Sequence, residues 1–93
     1  MFRLWGKVMK NNRFVKEMVF EIDDFSMSRT EKVLECLDQS CMAFDLQKPM
    51  WFDKNTKEMI RFAKTSFHED QFIETIDFDY FEIEIIEEDI APR

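Results

Sequence analysis

Residues 76–86 read IDFDYFEIEII, so apolar and acidic side chains alternate through most of this segment. Alternation with a period of two is typical of a strand with one buried and one solvated face. The alternation slips once, where Tyr80 and Phe81 stand side by side. A β-bulge at that point would put Phe78 and Tyr80 on the core face together with Ile83 and Ile85. The other face would then carry a row of acidic side chains, Asp77, Asp79, Glu82 and Glu84.

This acidic row needs a positive neighbour or a ligand, because like charges side by side on a sheet repel each other. The rest of the sequence offers such a neighbour. Residues 1–16 carry five basic side chains and no acid, whereas residues 65–92 carry ten acids and no Lys or Arg. We therefore expect the first and last strands to lie side by side in the sheet.

Two strands, residues 2–10 and 14–22, are predicted to form a hairpin. A two-residue turn would oppose Lys7 to Lys16, whereas a three-residue loop would oppose Lys7 to Glu17. Because opposite charges pair favourably across strands, charge pairing favours the three-residue loop. The other pairs of that register are Phe2 with Ile22, Arg3 with Glu21, and Leu4 with Phe20.

In this register one face of the hairpin is apolar and should belong to the core: Phe2, Leu4, Gly6, Met18, Phe20 and Ile22. The opposite face mixes charged groups with four apolar side chains, Trp5, Met9, Val15 and Val19. Exposed apolar groups of this kind need a cover, either a helix of the same chain or another copy. Since Trp and Met are frequent in interfaces, these four residues are the candidate interaction surface.

Two helices are predicted between the hairpin and the acidic strand. Ser28 and Glu31 have the spacing of a capping box, which predicts a helix over about 29–44. Its apolar stripe is Val33, Leu34, Leu37, Cys41 and Phe44. The spacing of Asn55 and Glu58 predicts a second helix that runs through about Ser66. Residues 50–52 are either a short strand or an apolar plug in the core.

The order β-β-α-(β)-α-β indicates one α+β domain over residues 1–93, in which two helices pack on one face of a mostly antiparallel sheet. The acidic strand should begin near Phe72 or Thr75, and residues 87–93 are expected to fray. Residues 72–80, FIETIDFDY, and the hairpin resemble those of small acidic proteins of anaerobic Firmicutes. The resemblance covers most of the chain and implies no activity and no functional residue.

The sequence predicts no catalytic residue, no metal site and no cofactor. A single glycine cannot build a phosphate-binding loop. His68 is the only histidine, and Cys36 and Cys41 stand five residues apart on one predicted helix, so neither a zinc site nor a Cys-His pair is indicated. The two cysteines are expected to be buried and reduced.

The net charge of −7 argues against direct binding to nucleic acid. No apolar run exceeds four residues, and the beginning of the chain lacks the apolar region of a signal peptide, so no membrane association and a cytoplasmic location are expected. We expect a noncatalytic interaction module that forms a homodimer or binds a protein partner. One alternative is a ligand binder or enzyme with a pocket between sheet and helices, using His68, Trp51 and carboxylates such as Asp53 or Asp79. The other is an acidic mimic of nucleic acid.

Overall fold

One four-stranded antiparallel sheet carries two helices on one of its faces. The computed structural model describes residues 1–88. Its elements are β1 (Phe2–Lys10), β2 (Arg13–Ile22), α1 (Arg29–Phe44), α2 (Asp53–Phe62), β3 (Lys64–Phe67), a short 3-10 turn (Glu69–Gln71) and β4 (Tyr80–Glu87). The strand order is β2-β1-β4-β3, and residues of both helices join one apolar core with the sheet. The predicted α+β class is confirmed.

The basic first strand and the acidic last strand lie side by side at the centre of this sheet. β1 pairs antiparallel with β4, with Lys7 opposite Glu82 and Trp5 opposite Glu84. This confirms that the two oppositely charged ends of the sequence meet in space. The predicted tail began at Glu87, which is instead the last residue of β4, and residues 89–93 lie outside the described part of the chain.

The β1–β2 hairpin has the predicted register, but its turn differs from the predicted one. Lys7 faces Glu17, as charge pairing predicts. The connection is nevertheless a two-residue turn, since Lys10 pairs with Arg13. Asn11 and Asn12 both have positive φ, 53° and 61°, as a type I′ turn requires. The three-residue loop was therefore the wrong interpretation of a correct register.

A β-bulge reconciles the short turn with that register. The pairing shifts between Val8, which faces Lys16, and Met9, which faces Phe14, so Val15 is the extra residue on β2. The bulge has a consequence for the faces of the sheet. It brings Phe14 to the same side as Met9, away from the helices.

Helix α1 forms where its capping box predicts. The Glu31 backbone N–H donates to Ser28 Oγ at 3.1 Å, and the Ser28 N–H donates to the Glu31 carboxylate at 3.3 Å. Most of the predicted stripe is buried, but Leu34 remains 39% exposed. On the strand below, a Cβ at Gly6 would lie 3.0 Å from Ser40 Oγ, so the single glycine allows α1 to approach β1 closely.

Helix α2 is shorter than predicted, and the optional strand at residues 50–52 is absent. Asn55 does not begin the helix but lies within its first turn, where its side chain accepts a hydrogen bond from the Phe52 N–H at 2.8 Å. The helix ends at Phe62, and the next residue, Ala63, has φ 57°. Residues 64–67 then form β3, because Thr65 and Phe67 alternate with polar residues and bury their side chains.

The strand β4 begins later than predicted and contains no bulge at Tyr80. Pairing starts at Tyr80, so the slip in alternation falls at the first residue of the strand. Phe81 therefore lies on the core face together with Ile83 and Ile85. Tyr80 lies on the opposite face, and Phe78 packs edge-on against Phe72 before the strand begins. The predicted core position of Tyr80 was therefore wrong, whereas Phe78 precedes the strand but still packs against the apolar core, as predicted.

Candidate functional site

The sheet face opposite the helices, called the open face below, carries three of the predicted interaction residues, Trp5, Met9 and Val19, and the fourth, Val15, is the extra residue of the bulge next to Phe14. Trp5 pairs with Val19 across β1 and β2, and Met9 pairs with Phe14. The Trp5 and Phe14 rings stack with their centroids 5.7 Å apart. Phe14, Val15 and Val19 are 49%, 52% and 44% exposed. We call Trp5, Met9, Phe14, Val15 and Val19 the apolar patch.

Phe14 is the member of the apolar patch that sequence reasoning missed. Simple alternation from Val19 and Glu17 assigns Val15, and not Phe14, to the open face. The signal was present in Asn11 and Asn12, since an Asn-Asn pair favours a two-residue turn. A two-residue turn combined with the charge-paired register requires one extra residue in β2.

A buried cation lies beside the apolar patch on the same face. The Lys7 ammonium contacts Glu84 Oε1 at 2.7 Å and Glu82 Oε2 at 2.9 Å, and it lies 3.9 Å from the centroid of the Trp5 ring. Lys7 is only 7% exposed. Burial by itself lowers the pKa of Lys7, but the hydrogen bonds to Glu84 and Glu82 outweigh it and raise the pKa above 10.5.

The predicted acidic row is divided between two places. Glu82 and Glu84 lie on the open face of β4 around Lys7. Asp77 and Asp79 precede the strand. Asp79 Oδ2 accepts a hydrogen bond from the Asn11 N–H at 2.8 Å and so ties the hairpin turn to the start of β4. Asp77 is exposed and borders a cavity of about 150 Å³.

The residues considered for catalysis occupy separate positions. The His68 ring lies 5.5 Å from that of Tyr80, next to the sheet. Cys36 and Cys41 are free and buried in α1, where burial raises the pKa of each thiol to about 11. In residues 1–88 we find no group of three or more His, Cys, Asp or Glu side chains that could hold a metal ion.

A second surface feature lies between the two helices. A groove of about 430 Å³ is bordered by residues of α1, of α2 and of the loop before α2: Arg29, Thr30, Val33, Leu34, Trp51, Thr56, Met59 and Ile60. Of the residues proposed for a pocket, Trp51 lines this groove, whereas His68, Asp53 and Asp79 do not. We call it the interhelical groove.

Three buried polar side chains hold the loop that carries Trp51. The Asn55 amide donates to Thr65 Oγ1 at 2.7 Å, and the Gln71 amide donates to Asn55 Oδ1 at 2.8 Å and to the Met50 carbonyl at 3.0 Å. Asn55 and Gln71 are fully buried. A buried polar group without a hydrogen-bond partner costs free energy, so opening this network would be unfavourable. The network therefore fixes the loop to α2 and β3.

Among the described residues, no helix combines the length and the apolar character needed to cross a membrane. No protein-family model, curated protein or solved structure matches this chain.

Proposed function

We propose that this chain is a noncatalytic cytoplasmic interaction module that forms a homodimer through the apolar patch. The observation that carries the proposal is the stacked pair of Trp5 and Phe14 on the open face, with Val15 and Val19 half exposed beside it. Aromatic side chains with adjacent aliphatic ones are typical of the centres of interfaces.

The charges around the apolar patch support burial against a second copy. Lys7 is already paired with Glu82 and Glu84, so covering it would not leave an isolated cation. A two-fold contact places the same surface on both partners, and an apolar patch is complementary to itself. The two free, buried thiols suit a reducing compartment such as the cytoplasm.

The mass of the particle in solution tests the proposal. Light scattering should give twice the chain mass of 11.4 kDa at micromolar concentration. The variant Val19→Asp places a charge in the proposed contact and should give a monomer. The matched control is Ile73→Asp, because Ile73 is 81% exposed and lies outside the apolar patch. A monomer for the unmodified chain, or equal dissociation by both variants, would contradict a dimer through this surface.

Acidic mimicry of nucleic acid receives less support. A mimic needs carboxylates that are exposed and available to a basic partner. Glu82 and Glu84 instead form ion pairs with Lys7, and Asp79 accepts a hydrogen bond from the Asn11 backbone N–H.

A further inference from the structure

We propose that the interhelical groove binds a small, uncharged, apolar molecule, at a site separate from the apolar patch. Both of its walls are helices of this chain, and both helices pack on the covered face of the sheet. The apolar patch lies on the opposite face. Each site can therefore be changed without touching the other.

The size of the groove selects a small molecule over a protein partner. Its volume of about 430 Å³ falls in the range of roughly 300–1,000 Å³ that small-molecule sites occupy. A stable protein interface buries about 800 Å² on each partner, which is more than a groove bordered by eight residues offers.

The lining of the groove is mainly apolar. Val33 and Met59 are 6% exposed and form its deep part, whereas Leu34 and Ile60 are 39% and 72% exposed and form its rim. Trp51 adds an aromatic wall. Its indole N–H donates to Thr56 Oγ1 at 2.8 Å, so an apolar ligand against Trp51 would not leave this donor unpaired.

The charges favour a neutral ligand. Among residues 1–88, Arg29 is the one charged residue that lines the groove, and its Nε already contacts Glu88 Oε1 at 2.8 Å. An anionic ligand would have to compete with Glu88 for Arg29. It would also approach a chain whose net charge is −7.

The groove is formed before any ligand arrives. The network of Asn55, Gln71 and Thr65 fixes the loop of Trp51 against α2, as described above. Because the loop of Trp51 is already ordered, ligand binding would cost little conformational entropy there, and the affinity would be higher for it.

Binding of the neutral dye N-phenyl-1-naphthylamine, followed by its fluorescence, tests the proposal. We expect saturable binding of one dye per chain. Leu34→Asp and Ile60→Asp should each weaken it about tenfold, because a carboxylate at the rim must lose water when the dye binds. Both positions are partly exposed, so both variants should keep their circular dichroism spectrum and unfolding midpoint.

Matched controls separate this site from other apolar surfaces. Met42→Asp changes an α1 residue that is 84% exposed and does not line the groove, and it should leave dye affinity unchanged. Val19→Asp should do the same, whatever it does to the dimer. The anionic dye 8-anilinonaphthalene-1-sulfonate should bind more weakly than the neutral dye.

Several results would overturn the proposal. These are the absence of saturable binding, an equal loss of affinity in Met42→Asp, and tighter binding of the sulfonate than of the neutral dye. If Ile60→Asp instead turned a dimer into a monomer, the groove would be a contact between copies and not a ligand site.

Discussion

The two faces of β1 exclude water in different ways. On the covered face, Leu4 and Val8 are at most 2% exposed because α1 and the sheet enclose them in the apolar core. On the open face, Lys7 is nearly as inaccessible, but it is enclosed by carboxylates and the Trp5 ring. Low exposure therefore reflects apolar packing on the covered face and charge neutralisation on the open face. Substitutions on the two faces should change the stability of the fold by different amounts.

The largest contrast is expected between two Phe→Ala substitutions on opposite faces. Phe81 is fully buried, with its ring 5.8 Å from that of Phe67 and 6.2 Å from that of Phe44. Phe81→Ala should lower the free energy of unfolding by about 3–5 kcal/mol, because it leaves a cavity. Phe14→Ala should cost only about 1 kcal/mol, chiefly the stacking on Trp5.

Urea denaturation of the two variants measures this contrast at a concentration where the chain is monomeric. If Phe14→Ala cost as much as Phe81→Ala under that condition, the open face would be part of the core of a single chain. The proposed interaction surface would then lose its basis.

Lys7→Ala should produce the next largest loss in the free energy of unfolding. It removes the cation between Glu82 and Glu84, and the side chains of both are less than one-third exposed. Breaking such a buried pair leaves uncompensated charge, so we expect a loss of about 3 kcal/mol in urea denaturation. The triple variant Lys7→Met, Glu82→Gln, Glu84→Gln should recover most of this loss, since it removes the charges together.

The same cluster should make stability depend on pH in alkaline solution. Because the pKa of Lys7 is higher in the folded chain than its ordinary 10.5, the contribution of Lys7 is complete below pH 10.5 and falls as the pH rises through the folded value. The unmodified chain should therefore lose stability faster above pH 10.5 than the triple variant does. Equal slopes would show that the carboxylates do not hold the Lys7 proton.

Charge pairing made the centre of the fold predictable from sequence. Five basic groups in the first 16 residues and ten acids in residues 65–92 predict that β1 and β4 are neighbours, and they are. The pairing of Lys7 with Glu17 fixes the hairpin register in the same way. Cross-strand charge pairs are short-range and require a particular register, so they carry information on which strands are neighbours.

Backbone irregularities were less predictable. The bulge at Val15 and the late start of β4 each change which side chain faces the helices, but alternation alone cannot show where pairing begins. The strand β3 was missed because Lys64 to Phe67 continue a helical pattern, and the left-handed conformation of Ala63 ends that helix. The interhelical groove depends on how two helices pack and has no local signal in the sequence.

Gly6→Ala should lower the free energy of unfolding moderately, and it tests how tightly the covered face is packed. Replacing a strand glycine by alanine normally stabilises by restricting the unfolded chain. Here the new Cβ would lie 3.0 Å from Ser40 Oγ and 3.3 Å from Phe44 Cε2. Ser40 is fully buried, and its hydroxyl donates to the Cys36 carbonyl at 2.7 Å, so it has little freedom to move. We expect a net loss of about 1–2 kcal/mol.

Thermal unfolding of the double variant Gly6→Ala, Ser40→Ala shows whether that contact is the cause. The second substitution removes the hydroxyl that the new Cβ would meet. The cost of the pair should then be less than the sum of the two single costs. Strict additivity would mean that Ser40 is not the obstacle.

The smallest effect is expected at Arg3, which shares strand, face and chemistry with Lys7. Arg3 Nε contacts Glu21 at 2.9 Å and Glu87 at 3.4 Å, so it also bridges two neighbouring strands. All three side chains are nearly half exposed, and water competes for each charge. Arg3→Ala should therefore cost only about 0.5 kcal/mol in urea denaturation, and the cost should shrink further in high salt. The cost of Lys7→Ala should depend less on salt, because burial shields that pair from ions. Equal costs at the two positions would mean that burial is not what distinguishes the two ion pairs.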